Sequence, residues 1–197
     1  MPIKVGVTGG IGSGKSFVCK VIEKMGYPVY YSDTESKRLT NTHPEIRKGL
    51  IELVGTEVFQ KDGLNRPLLA SKLFSDEELR LKVNQLIHPI VRADFANWAA
   101  QQDSPIVFNE AAILFETGAY KTMDFMILVT SDLETRINRT MARDGISRES
   151  VLSRIDNQWN DEEKIKLADF VIENDEDKML LSQVEKAIES IKEKYKL

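Results

Sequence analysis

Five short apolar runs punctuate the chain. They lie in "IKVGVTG" from Ile3, in "YPVYYSD" up to Asp33, and near Ile106–Asn109, Phe125–Thr130 and Phe170–Glu173. Within them apolar residues follow one another instead of alternating with polar ones, the pattern of strands covered on both faces. Between the runs the spacing turns helical. Lys15 to Met25 is built of good helix formers and stops before Gly26, a C-cap residue. Asp177 to Leu197 carries Leu180, Leu181, Val184, Ile188 and Ile191 on one stripe, predicting an amphipathic helix packed on a sheet. Strands alternating with helices predict an α/β fold with a five-stranded parallel sheet and right-handed crossovers.

One connection exceeds a simple crossover. About seventy residues separate Asp33 from Ser104, mostly with helical spacing, as at Leu79, Val83, Leu86, Ile90, Phe95 and Trp98. This insert is either an acceptor-binding lobe or a scaffold extension.

The totals change this picture little. A chain of 197 residues, 42% hydrophobic and 29% charged, suits one domain with a small lobe or lid. With 27 basic and 31 acidic residues the formal charge is −4, so no global attraction to nucleic acid or an anionic membrane is expected. Cys19 is the only cysteine, which excludes an intrachain disulfide and a zinc cluster. Its place in the first helix favours a buried thiol over a reactive one. The first residues lack a signal-peptide pattern, and no run approaches a membrane span of roughly 18 apolar residues. A cytoplasmic location is expected.

The chemistry concentrates after the first run. Nine residues from Gly6 to Gly14 hold five of the eleven glycines. Gly9-Gly10-Ile11-Gly12-Ser13-Gly14-Lys15-Ser16 fits G-x-x-x-x-G-K-[ST], a pattern expected by chance in about one chain in a hundred of this length or fewer. Glycines leave backbone N–H groups free to form an anion nest. The following helix adds its positive end. Lys15 can reach the β- and γ-phosphates, and Ser16 can place its hydroxyl on Mg²⁺. A strand before and a helix after are the context this loop demands.

Such a loop serves switches, motors and kinases alike. The D-x-x-G and N-K-x-D strings of a GTPase do not occur. A kinase needs a group at the acceptor hydroxyl and cations over the transferring phosphoryl. Asp33, at the carboxyl end of the second strand, suits the first role. Ser32-Asp33-Thr34-Glu35 equally resembles a capping box. Arg136, Arg139 and Arg143 share one helix face and suit the second role, or form a solvated face. A nucleoside or nucleotide kinase, and a regulatory ATP-binding module without catalysis, remain alternatives.

Taken together, these residues resemble the dephospho-CoA kinase family of P-loop kinases, over nearly the whole chain. "TGGIGSGKS" is similar to its phosphate loop. "DGLNRPLLASKLFSD" resembles its insert segment, "LIHPIV" its His-Pro motif and "ILFETG" its acidic segment. "RTMARDGISRESVLSRIDNQ" resembles its lid, and "ADFVIEND" the strand leading to the adenine region. The resemblance implies a P-loop three-layer α/β/α fold. A nucleotide core would comprise 1–33, 104–135 and 168–197, an acceptor insert 34–103 and a lid 136–167. It implies phosphorylation of the ribose 3′-hydroxyl of dephospho-CoA by ATP with Mg²⁺, the last step of coenzyme A biosynthesis. No nucleic acid or membrane partner is expected, and the oligomeric state is open, with a monomer favoured.

By position, Gly9 to Phe17 would hold ATP, with Lys15 catalytic and Ser16 on the metal. Asp33 would be the base. Arg139, with Arg143 beside it, would serve the phosphates, and Asn174 the adenine. Arg66 would bind the acceptor's diphosphate or lie on the surface. His88, whose Pro89 bends or ends a helix, would line the acceptor site or pack at the bend. The chain departs from the family at Tyr31, where an Asp is usual two residues before Asp33. It departs also at Phe17, in place of a small or β-branched residue, and at Ala112, in place of proline. Glu110 and Glu116 both lie near the ligand end of the sheet, and either is a candidate to position magnesium.

Overall fold

The computed structural model describes residues 1–61 and 63–197. Asp62, the first residue of "DGLNRPLLASKLFSD", lies outside the described residues. In chain order the elements are β1 (Ile3–Thr8), α1 (Lys15–Lys24), β2 (Val29–Tyr31), α2 (Ser32–Thr42), α3 (Pro44–Val54), β3 (Phe59–Gln60) and β4 (Gly63–Leu64). Next come α4 (Arg66–Ser75), α5 (Glu77–Ala100), β5 (Ile106–Glu110), β6 (Phe125–Thr130) and α6 (Leu133–Asp144). The chain closes with α7 (Arg148–Asp156), α8 (Asp161–Ile165), β7 (Phe170–Glu173) and α9 (Leu180–Tyr195). Two compact units result, one of Met1–Tyr31 with Ala99–Leu197, the other of Ser32–Trp98.

The first unit contains the five expected strands as one parallel sheet, ordered β2-β5-β1-β6-β7. Val7 of β1 stands opposite Glu110 of β5 and Ile127 of β6. Neighbouring residues of β6 face opposite layers. Phe125, Ile127 and Val129 join Val5, Val7, Val18, Cys19, Ile22, Val184 and Ile188 in the core beneath α1 and α9. Met126 and Leu128 join Leu114 and Phe115 on the other face. Both faces are apolar because both are covered, which explains the unalternating runs and makes the unit a three-layer α/β/α sandwich. Each fully buried aliphatic or aromatic side chain contributes about 1.5–3 kcal/mol. In α9 the stripe holds at Val184, Ile188 and Ile191, but Leu181 is exposed and Ala187 takes its place in the core. Strand order doubles back at β1, so the crevice at its carboxyl end is where an open α/β sheet takes its ligand.

The second unit holds α2, α3, the short antiparallel β3–β4 pair, α4 and most of α5. The hairpin was not expected from the helical spacing. Arg38 of α2 reaches Asp94 of α5 at 3.1 Å, and the Arg47 guanidinium lies 4.2 Å from the centre of the Phe59 ring. Pro89 neither ends nor interrupts α5, which runs 24 residues through it. A proline removes one helical hydrogen bond, here to the Gln85 carbonyl, and the remaining turns carry the helix across. Among the described residues no helix is long and apolar enough to cross a membrane.

Candidate active site

The glycine loop occupies residues 9–14, between the end of β1 and the start of α1. Gly14 caps α1 at φ +91°, a conformation L side chains rarely adopt. A Cβ there would also lie 2.0 Å from Asn174 Nδ2. No side chain caps the helix, which leaves its first amides for an anion. Ser13 is buried, and among the described residues its Oγ has no hydrogen-bond partner, a polar atom that a phosphate oxygen can satisfy. The largely buried Lys15 folds back over the loop, donating to the carbonyls of Gly9 at 2.8 Å and Gly10 at 3.2 Å. An ammonium is thus held beside a nest of main-chain amides before any ligand arrives.

The residues after β6 and β7 brace this loop. Asn174 donates its side-chain amide to the Ser13 carbonyl at 2.9 Å, while its own amide bonds Thr130 O at 2.8 Å. Arg139, half-buried on α6, donates to Asn174 O at 3.0 Å and Ser131 Oγ at 3.3 Å. Ser131 donates to Asp175 at 2.6 Å, and this bond together with the Asp132 amide lowers the Asp175 carboxyl below its ordinary range. The Gly14, Asn174 and Arg139 nominated from the sequence are therefore brought together.

The three-arginine face divides. Arg136 is buried, pairs with Asp161 at 3.0 Å and donates to Ile11 O at 3.0 Å, so it is neither a free clamp nor a solvated charge. Arg143 is exposed and bidentate to Asp144 at 2.7 and 3.1 Å. That arginine is the main cause holding the Asp144 carboxyl low, with Arg154 adding to it. Ser16 and Phe17 are exposed in the first turn of α1. Magnesium fits only as an ion shared with a nucleotide. Ser16 offers one hydroxyl, and among the described residues no group of three or more His, Cys, Asp or Glu side chains can hold a metal.

The acidic residues also separate. Glu110 ends β5, buried beside β1 and β2. Glu116 is committed to a fully buried Lys164 at 2.9 Å and accepts from the Trp159 amide at 3.2 Å. Cys19 is fully buried, and burial first, then Glu110 and Glu23, push its thiol up. Burial and a hydrogen bond to Glu23 likewise raise the Tyr31 hydroxyl.

Asp33, Arg66 and His88 belong to the second unit. Asp33 is exposed in the first turn of α2, and Glu35 bonds Arg38 one turn on. Arg66 is exposed at the start of α4, whose cap is Asn65, accepting from the Leu68 amide. His88 is half-buried in α5, and burial, then Arg92, lower its pKa. Sequence reasoning missed Gln158, whose Oε1 accepts from the Ile11 amide at 2.9 Å, although it ends the lid-like segment. It missed Asp161 and Lys164 as well, because nothing local marks a charge that will be paired across the fold.

The family model for dephospho-CoA kinase matches residues 3–179. A dephospho-CoA kinase of Bacteroides fragilis is 46% identical over 185 residues, covering 93% of this chain and 90% of that protein. A Thermus thermophilus crystal structure superposes with a TM-score of 0.86 at 36% identity, covering 96% of this chain and 97% of that one. A dephospho-CoA kinase from Campylobacter jejuni gives a TM-score of 0.72 at 25% identity, covering 99% of this chain and 100% of that one. With its glycine loop, five-stranded parallel sheet and full-length likeness to these enzymes, the chain belongs to the dephospho-CoA kinase family.

Proposed function

We propose that this protein transfers the γ-phosphoryl group of ATP to the ribose 3′-hydroxyl of dephospho-CoA, giving coenzyme A and ADP. The observation that carries the reading is family membership across residues 3–179. The preformed loop, with Lys15 laid over it, supports the donor half of the reaction. Magnesium, held by Ser16 and the nucleotide, neutralises phosphate charge when bound.

The chain's own residues carry the rest of the proposal. Main-chain amides of the glycine loop other than Ile11, whose N–H is taken by Gln158, and of the start of α1 hold the triphosphate. Lys15 exchanges the Gly9 and Gly10 carbonyls for phosphate oxygens. Arg139 adds positive charge over the transferring group, and Asn174 fixes the loop beside the adenine. Arg143, released from Asp144, is a second phosphate contact. Asp33 aligns the acceptor hydroxyl and accepts its proton as the new P–O bond forms and the bond to the leaving β-phosphate oxygen breaks. Arg66 and His88 hold the acceptor. Catalysis is then chiefly placement and charge stabilisation.

A coupled assay of ADP release tests the reading, with dephospho-CoA compared against AMP, CMP and nucleosides. Turnover only with dephospho-CoA is expected. Preference for AMP or CMP would make it a nucleotide kinase, and ATP binding without acceptor-stimulated turnover a regulatory module. Asp33→Asn is expected to bind ATP normally and lose at least a hundredfold in kcat, the lower end of general-base contributions. Unchanged turnover would remove Asp33 from the role of base.

A further inference from the structure

Ile11, in the glycine loop, has its main chain gripped on both sides of the Cα. Its N–H donates to Gln158 Oε1 at 2.9 Å, and its carbonyl accepts from Arg136 Nε at 3.0 Å. The same guanidinium donates from Nη1 to Asp161 at 3.0 Å. It is only 8% exposed and lies so close over Gly10 that a Cβ there would stand 2.0 Å from Nη2. Arg136 belongs to the first turns of α6, Gln158 follows α7, and Asp161 opens α8. Both grips therefore come from the helical segment after β6, and they hold the two peptide planes that flank the Ile11 Cα.

We infer that Arg136 and Gln158 are positioning residues that lock the backbone of Ile11, one peptide on each side of its Cα, and so preset the loop for the donor's phosphates. A loop whose amides must converge on an anion binds best when its peptide planes are fixed beforehand. Fixing one residue's backbone costs about 1–2 kcal/mol, which the two grips supply before ATP arrives. Arg136 acts from behind the loop, through a carbonyl, with its charge spent on Asp161. This differs in kind from the direct phosphate contacts proposed for Lys15 and Arg139.

The inference rests on the reading that the loop holds ATP, so its test separates donor binding from transfer. ATP affinity of wild type, Gln158→Ala, Arg136→Lys and the double variant is measured by calorimetry, beside melting curves and the KM for each substrate. Gln158 is half-exposed and outside the core, so its removal is expected to leave Tm nearly unchanged. Its loss should weaken ATP about tenfold, the equivalent of about 1.4 kcal/mol, and leave the KM for dephospho-CoA unaltered. Arg136→Lys keeps a charge for Asp161 but loses the fork that serves two partners. Because both grips are needed to fix the one backbone at Ile11, either variant frees it, and the double variant should lose little more than the worse single one. Wild-type ATP affinity in Gln158→Ala, or losses that add across the pair, would overturn the inference. A wild type that binds ATP and leaves dephospho-CoA unphosphorylated would overturn the functional reading instead, while the affinities still decide the loop.

Discussion

Removing the Lys164 charge tests how the fold beneath the site is held. Its ammonium is fully buried and lies 2.9 Å from Glu116 Oε1, and Glu116 is 13% exposed. That carboxylate also accepts from the Trp159 amide, and among the described residues its Oε2 has no hydrogen bond. At an effective dielectric of 20 the gross attraction over 2.9 Å is about 6 kcal/mol, much of it offset by desolvation. Lys164→Met leaves Glu116 buried and uncompensated, at a cost of about 3–5 kcal/mol. For a chain of this size each kcal/mol moves Tm by about 2–4 °C, so a fall of roughly 6–20 °C is expected. Adding Glu116→Gln removes the stranded charge and keeps an acceptor for Trp159, and should restore most of the loss. The assay is thermal and urea unfolding of both singles and the double, without nucleotide, since a bound ligand masks the change. A Tm drop of less than about 3 °C for Lys164→Met, or singles that simply add, would refute the reasoning.

Three further outcomes are expected. Gly14→Ala must hold a Cβ at φ +91° and displace the Asn174 amide, so it should destabilise by about 1–2 kcal/mol or more and raise the KM for ATP, both read in one melt and one titration. The Cys19 thiol, buried and raised in pKa, should ignore a disulfide reagent at pH 8 in the folded protein and react fully in denaturant. His88 has a folded pKa below its ordinary 6.5, so the unfolded chain binds the extra proton more readily. Stability should therefore be full above pH 6.5 and decline as pH falls from there towards the lower folded value. Relative to His88→Gln, which lacks this titration, the wild-type urea midpoint should fall as pH drops through that range, while the difference between the two stays constant above it.

How much of this was legible in the sequence follows from the range of each interaction. The five strands were readable because a strand buried on both faces writes its burial as a continuous apolar run. Their order was not, because parallel neighbours such as β1 and β6 meet only through crossovers that the runs do not encode. The β3–β4 pair has two residues in each strand, too few to set a period against the helical spacing around it. The glycine loop was fully readable, since residue type and spacing there are dictated by the anion itself.

The arginines mark where local reading stops. Arg136, Arg139 and Arg143 share a residue type, a helix and a face, so periodicity gives all three the same role. What separates them is the company each finds elsewhere in the chain. Asp161, 25 residues on, neutralises Arg136 and draws it under the loop. Asn174, 35 residues on, takes Arg139 at the loop's edge. The adjacent Asp144 holds Arg143 in solvent. A charge that is buried must be paired, and it then ceases to be available to a substrate. Arginine spacing therefore locates a phosphate-facing surface, and the acids that fold onto it decide which guanidinium remains to work there. Here that selection supports the proposal of Arg139 as the donor's contact and of Arg136 as a brace of the loop.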